Sequence, residues 1–402
     1  MHSSRREPRK SPEEAPDAPG LYLHVPFCSA VCPYCDFAVT VGGEASRRNY
    51  LAALEAEIAL WESGWHPEKP LSRQAFGTVY LGGGTPSWLR PEELGRVFDT
   101  LAARLGTEGA WIQLEANPED VTEESLAAWK SLGVRALSLG TQSFDDESLS
   151  FLGRRHTGEQ SRTAVELALA AGFDNVSLDL IYGLPGQDEA ALTRELETAV
   201  ALAPHHLSCY QLTIEPRTVF GHRAAKGELT ELPDPNQATL FRRVHEHLAA
   251  AGYPAYEVSN FARSPEDRSR HNRKYWSHVP YLGLGPSAHS YDGGRNRWWN
   301  ERNLSAWRKE IAKGEKPIAG EEVLGDADLA LEALMLGLRT AQGIPLEPFQ
   351  RRHGIDLLET DADLIEELVR SNQAVVDGGR LSLTLDGLVI AEALTARFDL
   401  EA

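Results

Sequence analysis

The chain has 402 residues, 42% of them apolar and 25% charged, which suits a folded protein with one large domain and one or two smaller ones. A formal charge of −19 argues against nucleic acid as a partner, because that binding relies on Lys and Arg to neutralise phosphates. No apolar run reaches the roughly eighteen residues of a membrane span, so none is expected.

Residues 1–19 carry Arg, Lys, Glu and Pro without an apolar stretch, which predicts a disordered tail rather than a secretory signal. Beyond it, short apolar runs predict strands at Leu21–Val25, Thr78–Leu81, Trp111–Ala116, Val134–Leu139, Val176–Ile181 and His206–Thr213. Helical patterns lie between them, near Tyr50–Trp61, Pro91–Leu105, Thr122–Leu132, Gly158–Ala171 and Glu189–Leu202. A further helix near Pro235–Ala251 and a strand near Ala255–Phe261 follow, whereas Ser264–Arg302, rich in aromatics, Gly, His and Arg, shows no simple pattern. From Asp326 onward, helices near Asp326–Thr340, Leu346–His353 and Ala362–Ser371 precede two short apolar runs around Gly378-Gly379, which predicts a hairpin.

Alternating strands and helices imply parallel βαβ units. Glu115, Gln142, Asp179, Gly82–Thr85 and the first cysteines fall at or near the carboxyl ends of successive strands. A barrel gathers its site from several strand ends, whereas an open doubly wound sheet concentrates it at one switch point. The expected fold is therefore α/β, a partial (β/α)6 TIM-like barrel over 20–233. A connecting region over 234–325 and a C-terminal α+β winged-helix-like domain over 326–402 complete it. Acidic residues outnumber basic ones in that last domain, which favours docking or a lid over DNA binding.

Three of the four cysteines, Cys28, Cys32 and Cys35, fall within eight residues, and Cys209 stands far away. Clustered thiols in a large chain point to metal in a reducing cytoplasm rather than to a disulfide scaffold. A C-x3-C-x2-C loop can supply one thiolate to each of three irons of a cubane, leaving the fourth open to a small molecule. Two other readings remain open on spacing alone: zinc held by the three cysteines and His24, or cysteines that merely fill the core.

Four motifs extend the reading: Tyr22-x-His-x-Pro-Phe-Cys-x3-Cys-x2-Cys, Gly82-Gly83-Gly84-Thr85-Pro86, Leu180-Ile181-Tyr182-Gly183-Leu184-Pro185 and His271-Asn272-x-x-Tyr275-Trp276. Together, from about Leu21 to Phe398, they resemble the coproporphyrinogen-oxidase-like branch of the radical S-adenosylmethionine superfamily. The resemblance implies a [4Fe–4S] cluster on Cys28, Cys32 and Cys35. It also implies an S-adenosylmethionine site at Tyr22, Gly83, Gly84, Thr85, Glu115, Gln142, Arg154 and Asp179.

This branch holds oxygen-independent coproporphyrinogen III dehydrogenases and heme chaperones of the HemW type. The dehydrogenases have a further cysteine two residues after the third, where this chain has Phe37, and a longer N-terminal segment. The His-Asn-x-x-Tyr-Trp stretch matches the chaperones. A chaperone is therefore expected, binding heme with His271 as a candidate axial ligand and delivering it to an acceptor protein; the dehydrogenase is the alternative. His289, Cys209 and the aromatics Tyr275, Trp276, Trp298 and Trp299 are further candidates for heme contact.

Overall fold

The computed structural model describes residues 18–62, 64 and 76–400, so the expected tail lies almost wholly outside the described residues. The first half of the chain alternates strand and helix: β1 (Gly20–Val25), α1 (Glu44–Trp61), β2 (Thr78–Gly83), α2 (Pro91–Leu105), β3 (Trp111–Ala116), α3 (Glu123–Ser131) and β4 (Val134–Gln142). It continues through α4 (Asp146–Phe151), α5 (Gly158–Ala170), β5 (Asn175–Tyr182), α6 (Glu189–Ala201) and β6 (His206–Gln211). Local chemistry sets the helix starts. Pro91 opens α2 with Glu92 and Glu93 in its first turn, and Thr157 and Gln160 cap α5 reciprocally.

Strands β1 to β6 lie side by side in chain order and run parallel, the order of a barrel wall without the reversal of a doubly wound sheet. Alternation along each strand divides the side chains cleanly. Leu21, Leu23, Val79, Leu81, Leu114, Leu137, Leu139, Val176, Leu178 and Leu207 face the helices and form the main core. On α1, Leu51, Leu54, Ile58 and Trp61 bury the face that their spacing predicts. The opposite strand faces carry Tyr22, Tyr80, Gln113, Glu115, Ser138, Ser177, Asp179, His206 and Ser208. The barrel interior is thus polar while its outer surface is greasy. Cys209 belongs to the outward set and is buried in the core.

The stretch without a simple pattern extends the same sheet. After α7 (Val219–Ala225) and α8 (Asp234–Ala250), strand β7 (Asn260–Ala262) pairs antiparallel with β6. Following α9 (Asn272–Trp276), β8 (Tyr281–Leu284) pairs in parallel with β1, and β9 (His289–Tyr291), β10 (Asn296–Asn300) and β11 (Ile318–Val323) continue outward from it. These strands are short, and Gly283, Gly285 and Pro286 mask their alternation. The buried Glu57 of α1 ties this extension down, accepting bonds from the Gly285 amide at 2.8 Å and Asn300 Nδ2 at 2.7 Å.

Past helix α10 (Leu304–Ala312), a second core gathers Leu334 and Leu338 of α11 (Asp326–Leu338), Phe349 of α12 (Leu346–His353), Leu368 and Leu381. Its hairpin pairs Ala374–Asp377 with Arg380–Leu383 across Gly378 and Gly379, both at positive φ as a two-residue turn demands. Hydrogen bonds from Val258 to Arg339 O and from Ala341 to Tyr256 O fasten this unit to the segment just before β7. Among the described residues, no helix is long and apolar enough to cross a membrane.

Candidate functional site

The three clustered cysteines sit on the loop after β1, over the carboxyl end of the barrel. Phe27–Cys28 pairs with Thr40–Val41, and the Cys35 amide bonds the Cys32 carbonyl at 3.1 Å, so the loop closes on itself. Its far end is fastened by Asp36, which meets Arg217 at 2.8 Å and Arg302 at 3.3 Å. Pro33 is held from below, its carbonyl taking the Phe220 amide of α7 at 2.9 Å.

All three thiols line one cavity of about 580 Å³ that descends into the barrel. Two have donors beside them: Thr85 Oγ1 lies 3.6 Å from Cys28 Sγ, and Arg154 Nη1 lies 3.5 Å from Cys32 Sγ. Burial pushes the Cys28 thiol up to about 11 and Cys35 in the same direction, so a bound cation is needed to make thiolates of them at neutral pH. Zinc fits poorly. His24 has both ring nitrogens engaged, Nε2 with Ala38 O at 2.8 Å and Nδ1 with the Tyr22 hydroxyl at 3.2 Å. Among the described residues, no three His, Cys, Asp or Glu side chains converge on a single ion. A cubane spreads its thiolates over separate irons and needs no fourth side chain.

Below the thiols, the glycine turn and the strand ends complete the cavity. Gly83 has φ +107°, and a Cβ on Gly84 would meet the Phe27 carbonyl oxygen at 2.6 Å, so backbone alone fits there. Glu115 accepts from the Gly83 amide at 3.1 Å and from the Tyr80 hydroxyl at 2.7 Å. Burial pushes its carboxyl up to about 7 against that Tyr80 bond, with the nearby Asp179 charge adding to the rise. Burial likewise pushes Asp179 up to about 6, opposed by the hydroxyls of Ser208 and Ser138. Two carboxylates held this high are poised to ionise when a cation or a set of donors arrives.

Arg154 is the complementary charge. Its Nη2 bonds Asn117 Oδ1 at 2.6 Å and Gly140 O at 3.0 Å, while its buried Nε has no hydrogen-bond partner. Asn117 also donates to Thr85 Oγ1 at 3.1 Å, linking the arginine to the glycine turn. Gln142, a cavity residue on the β4 bulge, adopts φ +64°, a left-handed backbone rare outside glycine. The cavity thus offers thiols, a bare backbone cradle, carboxylates and a guanidinium, the groups needed for a zwitterionic amino acid carrying a sugar.

The structure brings Gly83, Gly84, Thr85, Glu115, Gln142, Arg154 and Asp179 together with the three cysteines around this cavity. Tyr22 stands apart from its lining: it stacks on Tyr80 at 6.1 Å and supports the wall from within. His271, the expected heme ligand, lies outside the lining of this cavity. It is 1% exposed, and its Nδ1 meets Thr78 Oγ1 and its Nε2 the Tyr275 hydroxyl, both at 2.8 Å. With both nitrogens engaged, the ring links β2 to α9. His289 stacks on Trp299 at the sheet extension, and Trp298 packs on Trp61. Gln113, Ser138, Ser177, His206 and Ser208 also line the cavity. Their period-two spacing within apolar strands was the sequence signal for them.

Known proteins match at every level. The model of the radical SAM superfamily matches residues 22–199, and that of the HemN C-terminal domain matches 324–390. The heme chaperone HemW of Mycobacterium tuberculosis (strain CDC 1551 / Oshkosh) is 36% identical over 96% of this chain and 98% of its own. The heme chaperone HemW of Bacillus subtilis is 32% identical over 94% and 98%. Coproporphyrinogen III oxidase (HemN) from Escherichia coli, a radical SAM enzyme, shares the fold with a TM-score of 0.79 at 21% identity, covering 96% of this chain and 91% of that one. Near-complete overlap with the chaperones, on top of the cysteine loop and its polar barrel, places the chain in the HemW family of radical SAM proteins.

Proposed function

We propose that this protein binds heme and delivers it to an acceptor protein. It carries a [4Fe–4S] cluster on Cys28, Cys32 and Cys35 and S-adenosylmethionine in the barrel cavity. The observation that carries the cofactor half is the single cavity joining those thiols to Gly83, Gly84, Thr85, Glu115, Gln142, Arg154 and Asp179. The heme half rests on the family, whose members at 36% and 32% identity bear the name heme chaperone.

In this reading the bare backbone of Gly83 and Gly84 receives the methionyl end, and Arg154, with its unused Nε, pairs with the carboxylate. Glu115 and Asp179 accept from the amino group and the ribose hydroxyls, ionising as they do so. The Tyr22–Tyr80 pair holds Glu115 from behind. When bound, the cluster supplies an electron at an iron that has no protein ligand. Phe37, where dehydrogenases of this branch carry a cysteine, is 69% exposed at the cavity mouth and weighs against coproporphyrinogen oxidation. The four free cysteines suit a cytoplasmic setting.

Anaerobic reconstitution with iron and sulfide should load about four irons per chain, the content of one cubane. Added hemin should then give a Soret band that decays as heme passes to an apo-hemoprotein. A protein that takes up iron but neither binds hemin nor releases it, and instead makes protoporphyrinogen IX from coproporphyrinogen III, is the dehydrogenase.

A further inference from the structure

A second cavity of about 600 Å³ lies where α9 and the residues after it meet the C-terminal unit. Its charge is unlike that of the rest of the molecule. Arg268, Arg273, Arg352 and Arg380 line it, and among the described residues no Asp or Glu does, in a chain of net charge −19. Arg380 is held by the carbonyls of Gln342 and Gly343, and Arg268 lies over the Tyr256 ring at 5.6 Å, so neither of these two contacts neutralises its charge. Gathering cations in a cleft is unfavourable unless an anion is to enter.

His278 lines the same cleft and is singular in two ways. Its side chain is only 6% exposed, yet neither ring nitrogen has a hydrogen-bond partner. The nearest carboxylate, Glu332, stands 3.9 Å from Nε2 and is committed to Arg297 at 2.6 Å. Buried imidazoles normally find partners, so an orphan points to a missing ligand. Its backbone gives the second sign. His278 ends α9 at φ +51°, with its amide bonded to Tyr275 O and that of Val279 to Lys274 O. That closing turn favours glycine at this position, so the imidazole is kept against backbone preference.

We propose that this cleft is the heme site, with His278 as the axial ligand and the arginines as partners for the propionates. The inference rests on the heme-binding reading above and locates it. Trp276 and Phe349 supply flat apolar surface for the macrocycle, and the volume lies within the roughly 300–1,000 Å³ of cofactor sites. Binding is coordination only: the imidazole lone pair enters at iron and displaces a water, and no electron is transferred. Arg268 lines both cavities, so heme would sit on the far side of one arginine from the barrel interior.

The test is a hemin titration of the full-length, cluster-loaded chain, followed by Soret absorbance. His278→Gly should fold at least as stably as the natural chain, because glycine suits φ +51°. It should nevertheless bind hemin at least tenfold more weakly, with a shifted band that added imidazole restores. Arg352→Gln combined with Arg380→Gln should weaken binding while leaving the band position unchanged. His353→Ala, altering a second histidine of the cleft, should keep the spectrum. Unchanged affinity and spectrum in His278→Gly, or loss of the band in His353→Ala instead, overturns the assignment while heme binding by the protein stands. Absence of hemin binding by the natural chain overturns the underlying reading.

Discussion

Replacing Gly84 by alanine tests whether the iron-binding loop depends on backbone contact that only glycine permits. The new Cβ would stand 2.6 Å from the Phe27 carbonyl oxygen and 2.8 Å from that of Val25, both backbone atoms that no rotamer can move aside. Ordinary contact begins near 3.4 Å, so Val25–Cys28 must retreat by about 0.8 Å. That shift strains two bonds, Gly84 N to Val25 O at 2.8 Å and Thr85 N to Phe27 O at 2.7 Å. At roughly 1 kcal/mol each, with residual crowding added, the change should destabilise the protein by about 2–4 kcal/mol. Cys28 follows Phe27 directly, so its thiol moves with the strand and the cluster loses one anchor. Iron retained after anaerobic reconstitution should fall well below that of the natural chain, with a lowered urea midpoint and preserved far-ultraviolet dichroism. Gly43→Ala, where a Cβ meets nothing within 4 Å, is the control. A Gly84→Ala protein holding full iron at an unchanged midpoint would refute the argument.

Other outcomes follow from the same geometry. Arg154→Gln should leave the iron content intact and weaken S-adenosylmethionine binding by about 1.5–3 kcal/mol, the worth of a charge-assisted bond, as read by calorimetry. Glu115 is held at about 7 by burial, above its ordinary value of 4.5, so the folded state favours its neutral form. Its contribution to stability is therefore complete below about 4.5 and lost as pH rises through about 7. Binding that requires the ionised form should then strengthen with pH, by up to about tenfold per unit below 7, and Glu115→Gln should flatten that slope. Glu57→Ala strands the Gly285 amide inside the protein and leaves Asn300 Nδ2 only its bond to Gly285 O, which should cost about 1–3 kcal/mol in a urea melt. Cys209→Ala should keep all the iron that Cys32→Ala loses, because Cys209 points into the helix-packed core.

The cysteine loop was legible because its whole meaning lies within eight consecutive residues, and the barrel because βαβ alternation is a local pattern sustained over six strands. Glu115 and Asp179 announced themselves as carboxylates in apolar strands, where only a purpose or a partner tolerates them. The tertiary structure decided everything that needed distant segments to meet. It paired Tyr281–Leu284 with the first strand, and it set Thr78 and Tyr275 against the ring nitrogens of His271. It also set His278, unremarkable in sequence, in a cleft with arginines drawn from both ends of the region 268–380. Spacing along the chain determines which groups can act together locally. Whether a buried nitrogen is satisfied or left waiting depends on which neighbours packing brings to it, and only the folded chain contains that information.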